Sequence, residues 1–180
     1  MAKVTRALCL ALALLGSPAL HAGDSKPGEY QVKAAYLYNF GRFVVWPSPV
    51  KGEPFTVCVL GHDPFGVVLD ATLSGETING LKVVAKRIMA LQESGSCQIL
   101  FISASDLSQP RLKEILAELD QRSVLTVSDS PEFAQRGGMV QFVLDGNRVR
   151  FEVNLAAAER ARLSLSSQLL RLATSVRRSP

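Results

Sequence analysis

Metal-binding and nucleophilic side chains are scarce in this chain. Its 180 residues contain three cysteines and two histidines. Cys9 and His21 fall in the opening segment, which leaves Cys58, Cys97 and a single histidine, His62, for the body of the protein. Two cysteines and one histidine cannot close a structural zinc site, so no metal is expected. No Gly-x-Ser-x-Gly elbow or Gly-x-Gly-x-x-Gly turn is present. Ser164, Ser166 and Ser167 read as helix-start or helix-surface residues. His62 and Asp63 are neighbours in sequence, but a triad needs groups that converge in space with a nucleophile, so His62 reads as a turn residue. The segment from Gly61 to Gly66 has the glycine spacing of a phosphate loop, but Val67-Val68 replaces the required Lys-Ser/Thr pair. No catalytic residue and no cofactor is expected.

Long hydrophobic runs are also missing. The longest, Ala7 to Leu15, is too short for a membrane span of about 20 residues. Preceded by Lys3 and Arg6 and followed by Gly16, Ser17, Ala19 and Ala22, it has the layout of a secretory signal peptide. Cleavage after Ala22 is expected, giving a leader of residues 1–22 and one domain of residues 23–180. Removing Lys3 and Arg6 lowers the formal charge from +4 to +2. That modest charge, with no basic stripe, excludes nucleic acid as the expected partner. Export also places Cys58 and Cys97 in an oxidising compartment, where one disulfide is expected, the alternative being two separate buried thiols.

The remaining chain alternates strand and helix signals. Glu29 to Val45 has helical spacing and is apolar around most of its circumference, with Lys33 and Arg42 the only charges in its middle. The Trp46-Pro47 step is expected to end it. Phe55–Leu60 and Cys97–Ile102 read as strands buried on both faces, Leu81–Ile88 and Ser123–Val127 as further strands. Short helices are expected over Pro64–Leu73 and around Phe133, the latter stopped by Gly137-Gly138. A clear amphipathic helix carries Leu112, Ile115, Leu116 and Leu119. Met139–Leu144 and Arg148–Asn154 flank the turn Asp145-Gly146-Asn147 and predict a hairpin forming an antiparallel edge. Leu165, Leu169, Leu172 and Val176 mark a last helix. The fold class is α/β: a mainly parallel or mixed sheet flanked by helices, with a C-terminal β-hairpin and helix.

Several blocks resemble one family. The helix from Tyr30 to Phe40, running to Phe43 and closing on Trp46-Pro47, is similar to the opening of YfiR-like periplasmic proteins. So are Val124–Asp129, Phe133-Ala134 with Gly137–Val140, Arg148–Leu155, and the ending Leu163–Ala173. The resemblance implies a periplasmic regulatory binding protein that represses an inner-membrane diguanylate cyclase by binding its periplasmic region. Lowered cyclic di-GMP would then restrain biofilm formation. It also implies a homodimer, and an OmpA/Pal-type outer-membrane lipoprotein that sequesters the repressor. Cys58 and Cys97 match a pair bridged in the family. A second bridged pair falls at Glu132 and Met139, so that crosslink and any redox control it gives are not expected here. A small-molecule sensor using the cleft at the strand ends is the alternative.

Two surfaces are candidates for contact. Arg148, Arg150, Glu152 and Asn154 alternate along one strand face, about 6.6 Å apart, as a ladder able to meet a partner's carboxylates, or else as a solvated face. Tyr36, Tyr38, Phe43 and Trp46 on the first helix read either as a dimer contact or as core.

Overall fold

The computed structural model describes residues 28–47 and 54–178. The expected leader, residues 1–22, lies outside them. The elements, in order, are α1 (Glu29–Phe43), β1 (Val44–Val45), β2 (Phe55–Leu60), α2 (Val67–Leu73), β3 (Thr77–Ile78) and β4 (Leu81–Ile88). Then follow β5 (Ile99–Ile102), α3 (Gln109–Glu118), β6 (Leu125–Ser128), β7 (Val140–Asp145), β8 (Arg148–Asn154), α4 (Leu155–Arg160), β9 (Ser164–Leu165), α5 (Ser167–Leu172) and β10 (Ser175–Arg177).

Eight strands form one mixed sheet in the order β10-β8-β7-β6-β5-β2-β4-β3. Strands β4, β2, β5, β6 and β7 are mutually parallel. In chain order these are the second, first, third, fourth and fifth parallel strands, which is a doubly wound arrangement. The apolar runs explain their central position: every residue of β2, β5 and β6 is buried, as a parallel sheet covered on both faces requires. Alternate residues feed two cores. Val57, Val59, Ile99 and Phe101 pack with α1, α2, α4 and α5, while Cys58, Leu60, Leu100 and Ile102 pack with α3 and the 3-10 turn Leu91–Ser96.

Cys58 on β2 is bonded to Cys97, two residues before β5, with Cα atoms 5.7 Å apart. The bridge joins neighbouring parallel strands within the second core. Gly41 allows α1 to approach: a Cβ there would collide with the Ile78 side chain and press on the Phe55 ring.

The structure corrects several sequence expectations. Helix α1 stops at Phe43, two residues early, because Val44 and Val45 pair antiparallel with Leu165 and Ser164. The predicted helix around Phe133 is a run of turns. Glu132 has φ 60°, and Gly138 lies under the Phe133 ring, which fills the space of its missing Cβ. The single last helix is three elements. Leu165 belongs to β9, the Ser166 side chain restarts the helix by accepting from Leu169 N–H, and Val176 lies in β10. Leu172, expected inside, is 57% exposed. Nor is the hairpin the sheet edge. Thr174 donates both its N–H and its hydroxyl to the Phe151 carbonyl, steering the chain so that β10 pairs parallel outside β8.

The bridge closes a loop with a sequence separation of 39, worth about 4 kcal/mol in the chain-entropy account. Replacing both Cys58 and Cys97 with alanine is expected to lower unfolding free energy by about that amount in denaturant titrations. Reduced wild-type protein should lose a similar amount.

Candidate functional site

Lys33 is 2% exposed although it carries a charge. It sits on the face of α1 that packs on the sheet, one residue before Ala34, and in line with Leu37, Phe40 and Gly41. A buried ammonium must be paired, and here its Nζ lies 2.7 Å from Asp129 Oδ2 and 2.5 Å from Glu29 Oε1. Tyr30 donates its hydroxyl to the same Asp129 oxygen at 3.0 Å, and the other oxygen accepts from Ala104 N–H at 3.2 Å. Asp129 follows β6 and Ala104 follows β5, so this carboxylate ties the first helix to the carboxyl ends of two parallel strands. Lys33 Nζ also lies 4.3 Å from the Tyr30 ring centre. That ring meets Phe65 edge-on at 5.3 Å, and Phe65 meets Phe101 at 4.8 Å.

These contacts set the titration of the cluster. Burial alone would lower the Lys33 pKa, but hydrogen bonds to Asp129 and Glu29 and the Asp129 charge outweigh it, and the net direction is upward from 10.5. Burial and the neighbouring Asp129 also push Tyr30 upward. The carboxyl-end region of a doubly wound sheet is thus largely filled by the protein's own groups. What remains beside it is a hollow of about 360 Å³, lined in part by Lys33, Ala104, Asp129 and Leu144.

At the same corner, α1 and the hairpin tip enclose a larger groove of about 520 Å³. Its apolar side is Val32, Tyr36, Leu144 and Val149, and Arg148 and Arg150 stand on its rim. Leu144 is 57% exposed. Both arginines are exposed, and among the described residues neither forms an ion pair. β10 pairs only with Glu152–Asn154, so Arg148–Arg150 lie on an open strand edge beyond its end.

The predicted ladder is therefore divided. Val149, Phe151 and Val153 point inward as expected, and Glu152 is half-buried. Asn154 is not part of the surface. It is 5% exposed, accepts from Ala157 N–H as the cap of α4, and donates to the Ala134 carbonyl. The four aromatic candidates are all half-buried against the first core. Tyr36 packs among Phe40, Phe142 and Phe151, and Trp46 meets Phe55 edge-on at 5.2 Å. Phe43 and Tyr38 lie near the Arg42 guanidinium, 5.9 and 5.8 Å from ring centre to Cζ. A hydrogen bond to Glu76, with burial, raises the Tyr38 pKa.

The His62-Asp63 pair separates chemically. Asp63 accepts from Phe65 N–H and from Arg87 Nε at 2.9 Å, and Arg87 also grips Asp70 and the Gly66 carbonyl. The glycine-spaced loop is held by an arginine of β4 and serves the β2-to-α2 connection. Lys33 and Asp129, 96 positions apart, were the pairing that sequence reading missed. Its one signal was a lysine in a mostly apolar helix whose middle carries one other charge, Arg42.

The sequence matches the YfiR/HmsC-like family over residues 30–174. The chain belongs to that family. The matched span runs from Tyr30 of the charged cluster through the hairpin to Thr174, the residue that turns the chain into β10. At the level of the family, membership supports a periplasmic regulator of a diguanylate cyclase system. A conserved domain protein from Vibrio cholerae O1 biovar El Tor str. N16961 has a similar fold, with a TM-score of 0.55 at 10% identity. The alignment covers 83% of this chain and 60% of that one, so this chain spans three-fifths of its length. No helix among the described residues is long and apolar enough to cross a membrane.

Removing Lys33 strands the Asp129 charge. Lys33→Ala is expected to cost roughly 3 to 5 kcal/mol in urea titrations, the scale for breaking a buried pair from one side. Because the folded-state pKa of Lys33 is raised, its contribution is complete below 10.5 and fades as pH climbs through the higher folded value. Urea midpoints measured toward alkaline pH should therefore fall more steeply for wild type than for Lys33→Met.

Proposed function

We propose that this protein is a periplasmic repressor that acts by contact and carries out no catalysis. It docks on the periplasmic region of an inner-membrane diguanylate cyclase and holds the enzyme in its inactive state. Family membership across residues 30–174 is the observation that carries this reading. A repressor works only through better binding to the inactive conformation than to the active one. An OmpA/Pal-type outer-membrane lipoprotein that binds the same protein would draw it off by mass action, and cyclic di-GMP would rise. The repressor acts as a homodimer.

The rim of the groove between α1 and the hairpin is the docking surface we favour. Its two guanidinium groups, without an ion pair among the described residues, can take a carboxylate in bidentate fashion, and the exposed Leu144 beside them supplies apolar area. An open strand edge is also a ready template for an extended partner segment.

Deleting this protein in a strain carrying its cognate cyclase is expected to raise cellular cyclic di-GMP, and unchanged levels would overturn the proposal. The double charge reversal Arg148→Glu with Arg150→Glu should leave thermal unfolding nearly unchanged, since both side chains are exposed. In cross-linked cells it should reduce recovery of the cyclase by about tenfold or more, the scale of losing a charged contact at an interface. Full recovery would move the docking surface elsewhere.

A further inference from the structure

The eight-stranded sheet ends at β4 and β3, and that edge is half uncovered. β3 pairs only with Leu81 and Lys82, and the Glu76 carbonyl accepts from Val83 N–H at 3.0 Å. Beyond Val83, β4 pairs with β2 on its inner side and, among the described residues, with no strand on its outer side. Two hydrogen bonds fix which backbone groups face out. Val83 N–H points outward to Glu76, and the Ile88 carbonyl points inward to Gly61 N–H. Strand alternation then turns the N–H and C=O of Ala85 and Arg87 outward. Both residues are half-buried, so this edge is not sealed.

An edge strand is commonly kept from pairing by charged side chains held toward solvent. Here those charges fold back onto the same chain. Lys86 Nζ donates to the Glu93 carbonyl at 3.2 Å, and Arg87 is bound by Asp63, Asp70 and the Gly66 carbonyl. Apolar side chains are exposed instead. Val67, Val84 and Met89 are 81%, 37% and 74% exposed, three of the six large apolar residues so exposed among the described residues. Val84 and Met89 lie on either side of Arg87 in the chain, and Val67 follows Gly66, whose carbonyl Arg87 holds at 2.8 Å. They therefore gather around one neutralised arginine as an apolar patch on an open edge.

We infer that the homodimer forms at this edge, β4 pairing antiparallel with β4 of a second copy about a two-fold axis at Arg87. This rests on the homodimer reading above and adds its geometry. Outward-facing residues must meet in hydrogen-bonded pairs, which leaves three two-fold registers. An axis at Ala85 would set Arg87 of the second copy against Val83, where Glu76 already sits. An axis at Lys86 would place two lysines directly opposite each other, a destabilising pair. An axis at Arg87 avoids both. It sets Lys86 against Ile88, and Ala85 against Met89, a small residue facing a long one. The two Arg87 side chains that meet there are each neutralised by their own Asp63 and Asp70. One patch then serves both copies, as two-fold symmetry requires.

Sedimentation equilibrium of the purified protein should show a dimer. Met89→Glu, at an exposed side chain, should raise the dimer dissociation constant by about tenfold or more, the scale of losing an interface anchor. Ala85→Pro removes an outward N–H without touching the β2 ladder and should weaken the dimer in the same direction. Met89→Glu decides alone where Ala85→Pro fails to fold. Register is read separately. Ala85→Cys combined with Met89→Cys should give a disulfide-linked dimer on non-reducing gels, and Lys86→Cys should not. A monomeric wild type would overturn this inference together with the homodimer reading. A dimer that Met89→Glu leaves unmoved, that links through Lys86→Cys, or that the paired cysteines do not link would overturn the inference and leave that reading standing.

Discussion

A lysine in the interior has to be answered by a carboxylate, and most of the architecture at one end of this protein follows from that requirement. Lys33 enters from α1, Asp129 from the end of β6, and the second Asp129 oxygen reaches the backbone after β5. Glu29 and Tyr30 from the first turn of the same helix complete the arrangement. An apolar helix could slide or rotate on an apolar sheet at modest cost, because dispersion and burial are non-directional. A paired charge under a helix cannot slide. It fixes both the height and the rotation of α1, and with them Val32 and Tyr36, which form one side of the groove facing the hairpin tip. The other end of α1 is fixed differently, by close approach at Gly41 and by the short pairing of Val44–Val45 with β9.

Much of the sheet was legible in the sequence. Phe55–Leu60 and Leu81–Ile88 are strands at the expected bounds, because a continuous apolar run and a turn signal leave a buried strand little alternative. The amphipathic α3 and the hairpin came through for the same local reason. Elements whose partners lie far away in the chain were read wrongly. The spacing of Leu165, Leu169, Leu172 and Val176 fits one helix, yet β9 is claimed by Val44–Val45 and β10 by β8, over a hundred and about twenty positions away respectively. Local periodicity cannot register a competing strand pair. The same blindness hid Asp129 from Lys33, and it misplaced Asn154, whose alternation with Arg150 and Glu152 is real but whose side chain is used to start α4.

The disulfide is a different kind of constraint. Lys33 and Asp129 act within the folded state, while the Cys58–Cys97 bridge acts largely by restricting the unfolded chain. The two lie in separate regions, the bridge in the core beneath α3 and the ion pair between α1 and the carboxyl ends. Distant, unshared contacts of this kind contribute nearly additively to stability. The family's second bridged pair, at the positions of Glu132 and Met139, has no cysteines to form it. Gly138 with Phe133 above it and the Thr126 hydroxyl accepting from Met139 N–H hold that segment by packing and hydrogen bonding.

The distribution of unsatisfied groups bears on how such a protein can act. Asp63, Asp70, Asp129 and Glu29 are all engaged by Arg87 or Lys33. These ion pairs join separate elements, Lys33 tying α1 to the end of β6 and Arg87 tying β4 to the connection between β2 and α2. Among the cations without an ion pair in the described residues, Arg148 and Arg150 stand on the rim of the groove between α1 and the hairpin. Arg148 and Arg150 differ in this from Lys33 and Arg87, because they lie on a strand edge that β10 does not cover and carry their charge toward solvent instead of into a paired contact.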